Sequence, residues 1–197
     1  NKKQKIMNEL YPIFLKPHQL NILLVGGGFV GLEKLTFLLK SSPRANVSLV
    51  SMDFTPEVLE IIEEKQFVFQ RKPYSVKDLD GRDIVIGATN DEAVNEKIYY
   101  DCKARNILVN IADNPPLCDF YMGGIVTKGN LKVAISTNGK SPTMAKRLRQ
   151  FFEAVLPNTI DELLDNVHEY RKYLTGDFES KVDELNELTK NMIKEKQ

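Results

Sequence analysis

Three consecutive glycines, Gly26, Gly27 and Gly28, followed by Phe29, Val30 and Gly31, spell G-x-G-x-x-G. An apolar run at residues 21–25 precedes them, and Leu32, Leu35, Leu38 and Leu39 recur at helical spacing behind them. Strand, tight turn and helix in that order give the motif a mechanical meaning. The first glycine permits the turn, the second lets the backbone approach a pyrophosphate, and the third lets helix and strand pack closely. Amides at the helix start, around Phe29 and Val30, then receive the phosphates. The plainer alternative is a glycine-rich connection with no ligand.

In such an arrangement the end of the second strand meets the adenosine ribose, where an acidic side chain accepts both hydroxyls of NAD. Asp53 stands there, 27 residues after Gly26, somewhat beyond the usual spacing of roughly 20. It is either the ribose ligand or a surface turn residue. No Arg or Lys adjoins it in sequence to hold a 2′-phosphate, so NAD is favoured over NADP. Thr89 and Asn90 follow another strand, where they either approach the dinucleotide or cap the next helix. Asp113 ends an apolar strand and precedes two prolines, which places it in the crevice above the strand ends. A carboxylate there can move a proton or contact a metal ion on its way into a ligand; the alternative is a loop-tying aspartate. Further on, Thr137, Asn138, Gly139, Lys140 and Ser141 form a polar loop before a helix carrying Lys146, Arg147 and Arg149. Hydroxyls, amides and guanidinium groups of this kind suit a carboxylate-rich or phosphorylated ligand, although a solvated basic helix face would read the same way. His18 and His168 are isolated from each other and are read as structural or exposed. No metal-ligand pattern is expected.

The elements that must position these residues follow from periodicity. Strands are expected at residues 21–25, 46–51, 67–71, 84–88 and 107–112. A helix follows the glycines, a second opens at Thr55-Pro56 with Val58, Leu59, Ile61 and Ile62 on its apolar face, and a third covers 91–105. Strands alternating with helices require a mostly parallel sheet covered on both faces. After Asn114-Pro115-Pro116 the pattern changes. Residues 120–126 and 131–136 flank Lys128-Gly129-Asn130 as an antiparallel hairpin. Helices are then expected from Ser141-Pro142 to about 156, over 160–174 and over 178–194, divided by Gly176; the last carries Val182, Leu185, Leu188 and Met192. The fold class is therefore α/β: an N-terminal Rossmann-type parallel sheet at 1–114, a central hairpin and loop at 115–141, and a small helical region at 142–197.

Composition sets limits. Lys plus Arg number 27 and Asp plus Glu number 27, so overall charge gives no reason to expect nucleic acid or an anionic membrane as partner. Cys102 and Cys118 belong to no ligand pattern and fit a reducing compartment. Residues 1–6 precede Met7 as a polar leader, the start of the sequence does not read as a signal peptide, and nowhere do eighteen apolar residues run together. The protein is expected to be cytoplasmic.

The segments NILLVGGGFVGLEKLTFLL, IVIGATNDEAVN, NILVNIADNPPLCDF and LKVAISTNGKSPTMAKRLR together resemble the siroheme-synthase N-terminal family. That family comprises precorrin-2 dehydrogenases, several of them also sirohydrochlorin ferrochelatases. The ordered matches run from about Tyr11 to Pro157. The resemblance implies an NAD-binding Rossmann domain, a central segment that makes an interwoven homodimer, and a helical end that completes a tetrapyrrole cleft. It implies NAD-dependent oxidation of precorrin-2 to sirohydrochlorin, with ferrous iron as a further substrate where chelation gives siroheme. The family's essential aspartate falls on Asp113. Homodimerisation through residues 120–136 would cover strand edges that a hairpin leaves open, and the carboxylates of a tetrapyrrole would give Lys146, Arg147 and Arg149 a purpose. Thr137 stands where some bifunctional members have a modifiable serine, and Asn114-Pro115-Pro116 departs from the commoner D-x-P. The sequence holds no counterpart of the methyltransferase part of fused siroheme synthases; in a complete chain, that chemistry would belong to another protein. A dehydrogenase without chelatase activity, a non-catalytic nucleotide- or tetrapyrrole-sensing module, and a cobalt chelatase are the competing readings.

Overall fold

The structure, a computed structural model, describes residues 8–190. The chain forms two compact units: Asn1–Gly123 together with Ser136–Ser141, and Gly124–Ile135 together with Pro142–Gln197.

In the first unit the apolar run and the glycines form β1 (Ile22–Gly27), followed by α1 (Phe29–Ser41), β2 (Val47–Phe54), α2 (Pro56–Lys65), β3 (Val68–Arg71), β4 (Ile84–Gly87), α3 (Glu92–Lys103) and β5 (Leu108–Ile111). All five strands are parallel, in the order β3-β2-β1-β4-β5. Every residue of β1 and β4 is buried, as a sheet covered on both faces demands. Alternation sorts them: Ile22 and Leu24 join a core with Leu35 of α1 and Val58 and Ile62 of α2, whereas Leu23 and Val25 join Ile98 and Cys102 of α3. Pro56 occupies the first turn of α2 behind Thr55. Asp91 caps α3, its carboxylate accepting from the amides of Ala93 and Val94 at 2.9 and 3.2 Å.

Two sequence expectations shift. β2 runs three residues past its expected end, because its pairing with β1 resumes beyond an irregularity, where Gly27 faces Phe54. The hairpin begins at Gly124 instead of Phe120, because Phe120 and Met122 pack against the first unit's core.

The second unit contains the hairpin β6 (Gly124–Lys128) and β7 (Leu131–Ile135), then α4 (Pro142–Val155), α5 (Ile160–Tyr173) and α6 (Phe178–Thr189). Lys128 pairs with Leu131, leaving a two-residue loop whose first member, Gly129, has φ 55°. That left-handed conformation is why glycine is there. The Asp161 carboxylate closes the loop by accepting from the Asn130 amide nitrogen at 2.6 Å. A side chain on Gly124 would press on the Ala145 carbonyl at 3.3 Å, so this glycine lets α4 approach β6. Met192 and the expected last turns of α6 lie outside the described residues.

Candidate functional site

The chain adds β2 and β3 on one side of β1 and then crosses to add β4 and β5 on the other, so the loops leaving the carboxyl ends of β1 and β4 diverge, making the crevice where open α/β sheets bind ligands. The glycine turn leaves β1 at this edge, Asp53 lies near the end of β2, Thr89 and Asn90 follow β4, and Asp113 follows β5. The topology thus gathers residues spread over almost ninety positions of sequence along one edge.

The glycines there have different duties. A Cβ on Gly26 would lie 2.3 Å from the Ala88 carbonyl oxygen, and φ of 119° already excludes most side chains. On Gly31 it would lie 2.1 Å from the Gly26 oxygen, so α1 packs directly on the turn. Gly27, which the motif leaves free, is also required: its Cβ would meet the Asp53 oxygen and the Phe54 ring, both at 2.4 Å. Gly28 alone faces open space, with nothing within 4 Å. It caps α1 without a side-chain hydrogen bond, leaving the first helical amides and their partial positive charge open to an anion. Protein packing explains the other three glycines; room for a ligand against the backbone explains Gly28. The residues therefore fit a dinucleotide pyrophosphate. Phe29 is exposed at the same helix start, and Ser51 Oγ steadies the turn by accepting from the Gly27 amide at 2.9 Å.

Asp53 is exposed. The sheet adds a neighbour that sequence did not show: Arg71, at the end of β3, pairs with Ser51 of β2 and is exposed. Thr89 is committed to architecture. Its hydroxyl lies 2.8 Å from Asn95 Oδ1, and Asn95 Nδ2 donates to the Thr89 carbonyl at 2.9 Å. Asn95, only 9% exposed, is thus a hidden anchor of the loop after β4. Asn90 is exposed beside it.

Asp113 forms the turn after β5 with φ 58°, a left-handed conformation unusual outside glycine, and its side chain is exposed. Among the described residues no hydrogen bond or ion pair engages its carboxylate. The chain beyond it folds back, so that Cys118 forms an antiparallel bridge with Asn110 of β5. Asp119 locks this return: its carboxylate accepts from the Val109 amide at 3.1 Å and pairs with Lys103 at 2.7 Å, an interaction that raises the lysine's pKa. Burial, foremost, pushes the Cys118 thiol upward, so it is a neutral hydrogen-bond donor. Asn110 was detectable in sequence as a polar residue inside an otherwise apolar strand, which must find a partner; Cys118 and Asp119 carried no such signal.

The polar loop is closed on itself. Thr137 Oγ1 accepts from the Ser141 amide at 3.2 Å and donates to its carbonyl at 3.1 Å, with Asn138 and Gly139 both at positive φ. Gly139 and Lys140 are exposed. In α4, Lys146 and Arg147 are exposed, Arg147 reaches Gln150 at 3.1 Å, and Arg149 pairs with Glu153. Arg149 is therefore partly spoken for, and the three cations do not share one face of the helix. Among the described residues, no group of three or more His, Cys, Asp or Glu is arranged to hold a metal ion, and no helix is long and apolar enough to cross a membrane.

Sheet order, glycine turn and open helix start define a dinucleotide-binding protein of the Rossmann type. Comparison with known proteins is consistent and more specific. Residues 13–124 match the family described as "Putative NAD(P)-binding", and residues 128–154 match the "Sirohaem biosynthesis protein central" family. A siroheme synthase of Psychrobacter sp. (strain PRwf-1) is 34% identical over 89% of this chain and 38% of its own length. One from Pseudoalteromonas translucida (strain TAC 125) is 36% identical over 87% of this chain and 34% of its own. A solved structure titled "SirC, precorrin-2 dehydrogenase" superposes with a TM-score of 0.73 at 25% identity, covering 91% of this chain and 89% of that one. The chain belongs to the siroheme synthase family. It spans little more than a third of the length of these two siroheme synthases.

Proposed function

We propose that this chain oxidises precorrin-2 to sirohydrochlorin, with Asp113 as the proton-transferring residue and NAD as the oxidant. The observation that carries the reading is the exposed, unengaged carboxylate of Asp113 on the same sheet edge as the Gly28 opening. Three strand spacings, about 14 Å, separate β2 from β5, so a dinucleotide extending from Asp53 across β1 brings its far end toward Asp113. The reaction removes a hydride and a proton from the macrocycle. Bound NAD supplies the hydride acceptor. Asp113 takes the proton, and its exposure lets it pass that proton to water. The amides at the start of α1 hold the pyrophosphate, and Asp53 accepts the ribose hydroxyls, which favours NAD; exposed Arg71 is the residue through which a 2′-phosphate would be tolerated.

Ferrous iron is the proposed substrate of a second step, in which sirohydrochlorin exchanges two pyrrole protons for Fe²⁺ and Asp113 again receives protons. The loop Thr137, Asn138, Gly139, Lys140 and Ser141, with Lys146 and Arg147, would receive macrocycle carboxylates, Arg149 only by exchanging Glu153 for ligand. In this reading residues 1–114 serve the cofactor, 115–141 assembly and 142–197, the helical part, the substrate. Homodimerisation is supported by Met144, Leu148, Phe151 and Val155, exposed at i, i+4, i+7 and i+11 on α4. Two free thiols suit the cytoplasm.

The test is an anaerobic assay of purified protein with precorrin-2 and NAD, following NADH and sirohydrochlorin and then adding ferrous iron. Oxidation followed by iron insertion faster than the protein-free control is the expected result. Oxidation alone leaves a dedicated dehydrogenase. Neither reaction from folded, NAD-binding protein overturns the proposal in favour of a sensor. Asp113→Ala should keep NAD binding and lose turnover by about 10²- to 10⁴-fold.

A further inference from the structure

We infer that Asn110 is a positioning residue, which with the Cys118 thiol clamps the turn that aims Asp113; the inference rests on the catalytic reading of Asp113. Asn110 is 6% exposed, one of two buried polar residues in the described core. Its Nδ2 donates to the Phe120 carbonyl at 2.7 Å and lies 3.4 Å from Cys118 Sγ. The thiol in turn lies 3.2 Å from the Ile111 carbonyl and 3.3 Å from that of Asn114. Those two carbonyls bracket Asp113 on either side in sequence. A further bond, from the Asn114 amide to Ile111 O at 3.3 Å, closes the turn itself.

This arrangement answers a specific need. Asp113 adopts φ 58° without being glycine, and a residue persists in that region only where its surroundings over-determine the backbone. Proline at 115 and 116 stiffens the exit, but proline cannot donate a hydrogen bond to fix the turn against β5. Beside the Asn114 amide, Asn110 and Cys118 supply donors. One amide group therefore links the strand, the returning chain and the thiol. A buried amide with such partners costs little to keep and much to break, and the element it holds is the one that carries the exposed carboxylate.

The experiment measures kcat and KM for precorrin-2 oxidation, with NAD affinity by titration, in Asn110→Asp, Asp113→Asn and the double variant of the full chain. N110D keeps the shape but removes the donor. A misaimed general base should lower kcat by about 10²-fold, with NAD affinity unchanged, and N110D should add little to the loss in D113N, because it acts through that residue. Wild-type kcat in N110D, beside an inactive D113N, overturns the clamp while leaving the catalytic reading intact. Losses that multiply fully in the double variant also overturn it. Full activity in D113N overturns both. If N110D does not fold, Cys118→Ala and Cys118→Ser decide: a lowered kcat in C118A restored in C118S supports the clamp, and wild-type kcat in C118A sinks it.

Discussion

The two units of this chain solve the problem of apolar surface in opposite ways. In the first, the strands are covered on both faces and the two cores account for nearly all buried apolar residues. In the second, Val126 and Leu174 are the only buried apolar residues among those described, while Met144, Phe151, Val155, Tyr173 and Phe178 are each more than half exposed. A two-stranded hairpin is marginal by itself, and the three helices contain no buried residue, Leu174 lying just past α5. The first unit is thus a self-sufficient frame on which a carboxylate and a phosphate cradle can be held still; the second leaves most of its apolar helix residues exposed.

That contrast can be broken most sharply at Gly31. Gly31→Ala forces a methyl group against the Gly26 carbonyl and should destabilise the first unit by about 3 kcal/mol, read as a lowered urea midpoint; a wild-type midpoint would mean that α1 does not pack directly on the turn. Phe151→Glu attacks the other unit. If α4 forms the proposed homodimer interface, the substitution should move the protein from dimer to monomer in sedimentation by weakening association by about 2 kcal/mol, with NAD affinity unchanged. A monomeric wild type would mean that the exposed residues of α4 form no interface between copies. Gly28→Ala sharpens the distinction within the first unit: folding should lose no more than about 1 kcal/mol, the cost of a poorer cap, while NAD affinity falls about tenfold. Equal loss in stability from G28A and G31A would mean that packing, not a ligand, requires both glycines.

At neutral pH the smallest effect is expected at Cys102, whose titration shows only in alkali. Burial first, and the neighbouring Asp101 second, push its thiol from 9.0 up to about 12. The folded state therefore favours the neutral thiol. The stability this confers is present in full below pH 9.0 and declines as pH rises toward about 12. Cys102→Ala should flatten that alkaline decline in urea midpoints measured from neutral pH upward, and an unchanged slope would assign the effect to another group.

Much of the frame was legible in sequence because each of its elements announces itself locally. Apolar runs of β1, β4 and β5, the glycine spacing, Pro56 behind Thr55 and Asp91 at a cap all act within a few residues of themselves. The limits of β2 and of the hairpin were not, because pairing past an irregularity and the packing of Phe120 and Met122 depend on partners distant in the chain. In the candidate site the same division holds. Asp113 and the glycines were visible by type and position; Gly27, Asn95, Asn110 and Arg71 matter through what the fold lays against them.

Sequence alone determined the Rossmann-type class, the cradle and the aspartate, since periodicity and glycine spacing are properties of neighbouring residues. The tertiary structure decided which glycine is left open to a ligand, which carboxylate is left unengaged, and what holds the Asp113 turn. Those depend on clashes and hydrogen bonds between segments that only folding brings together.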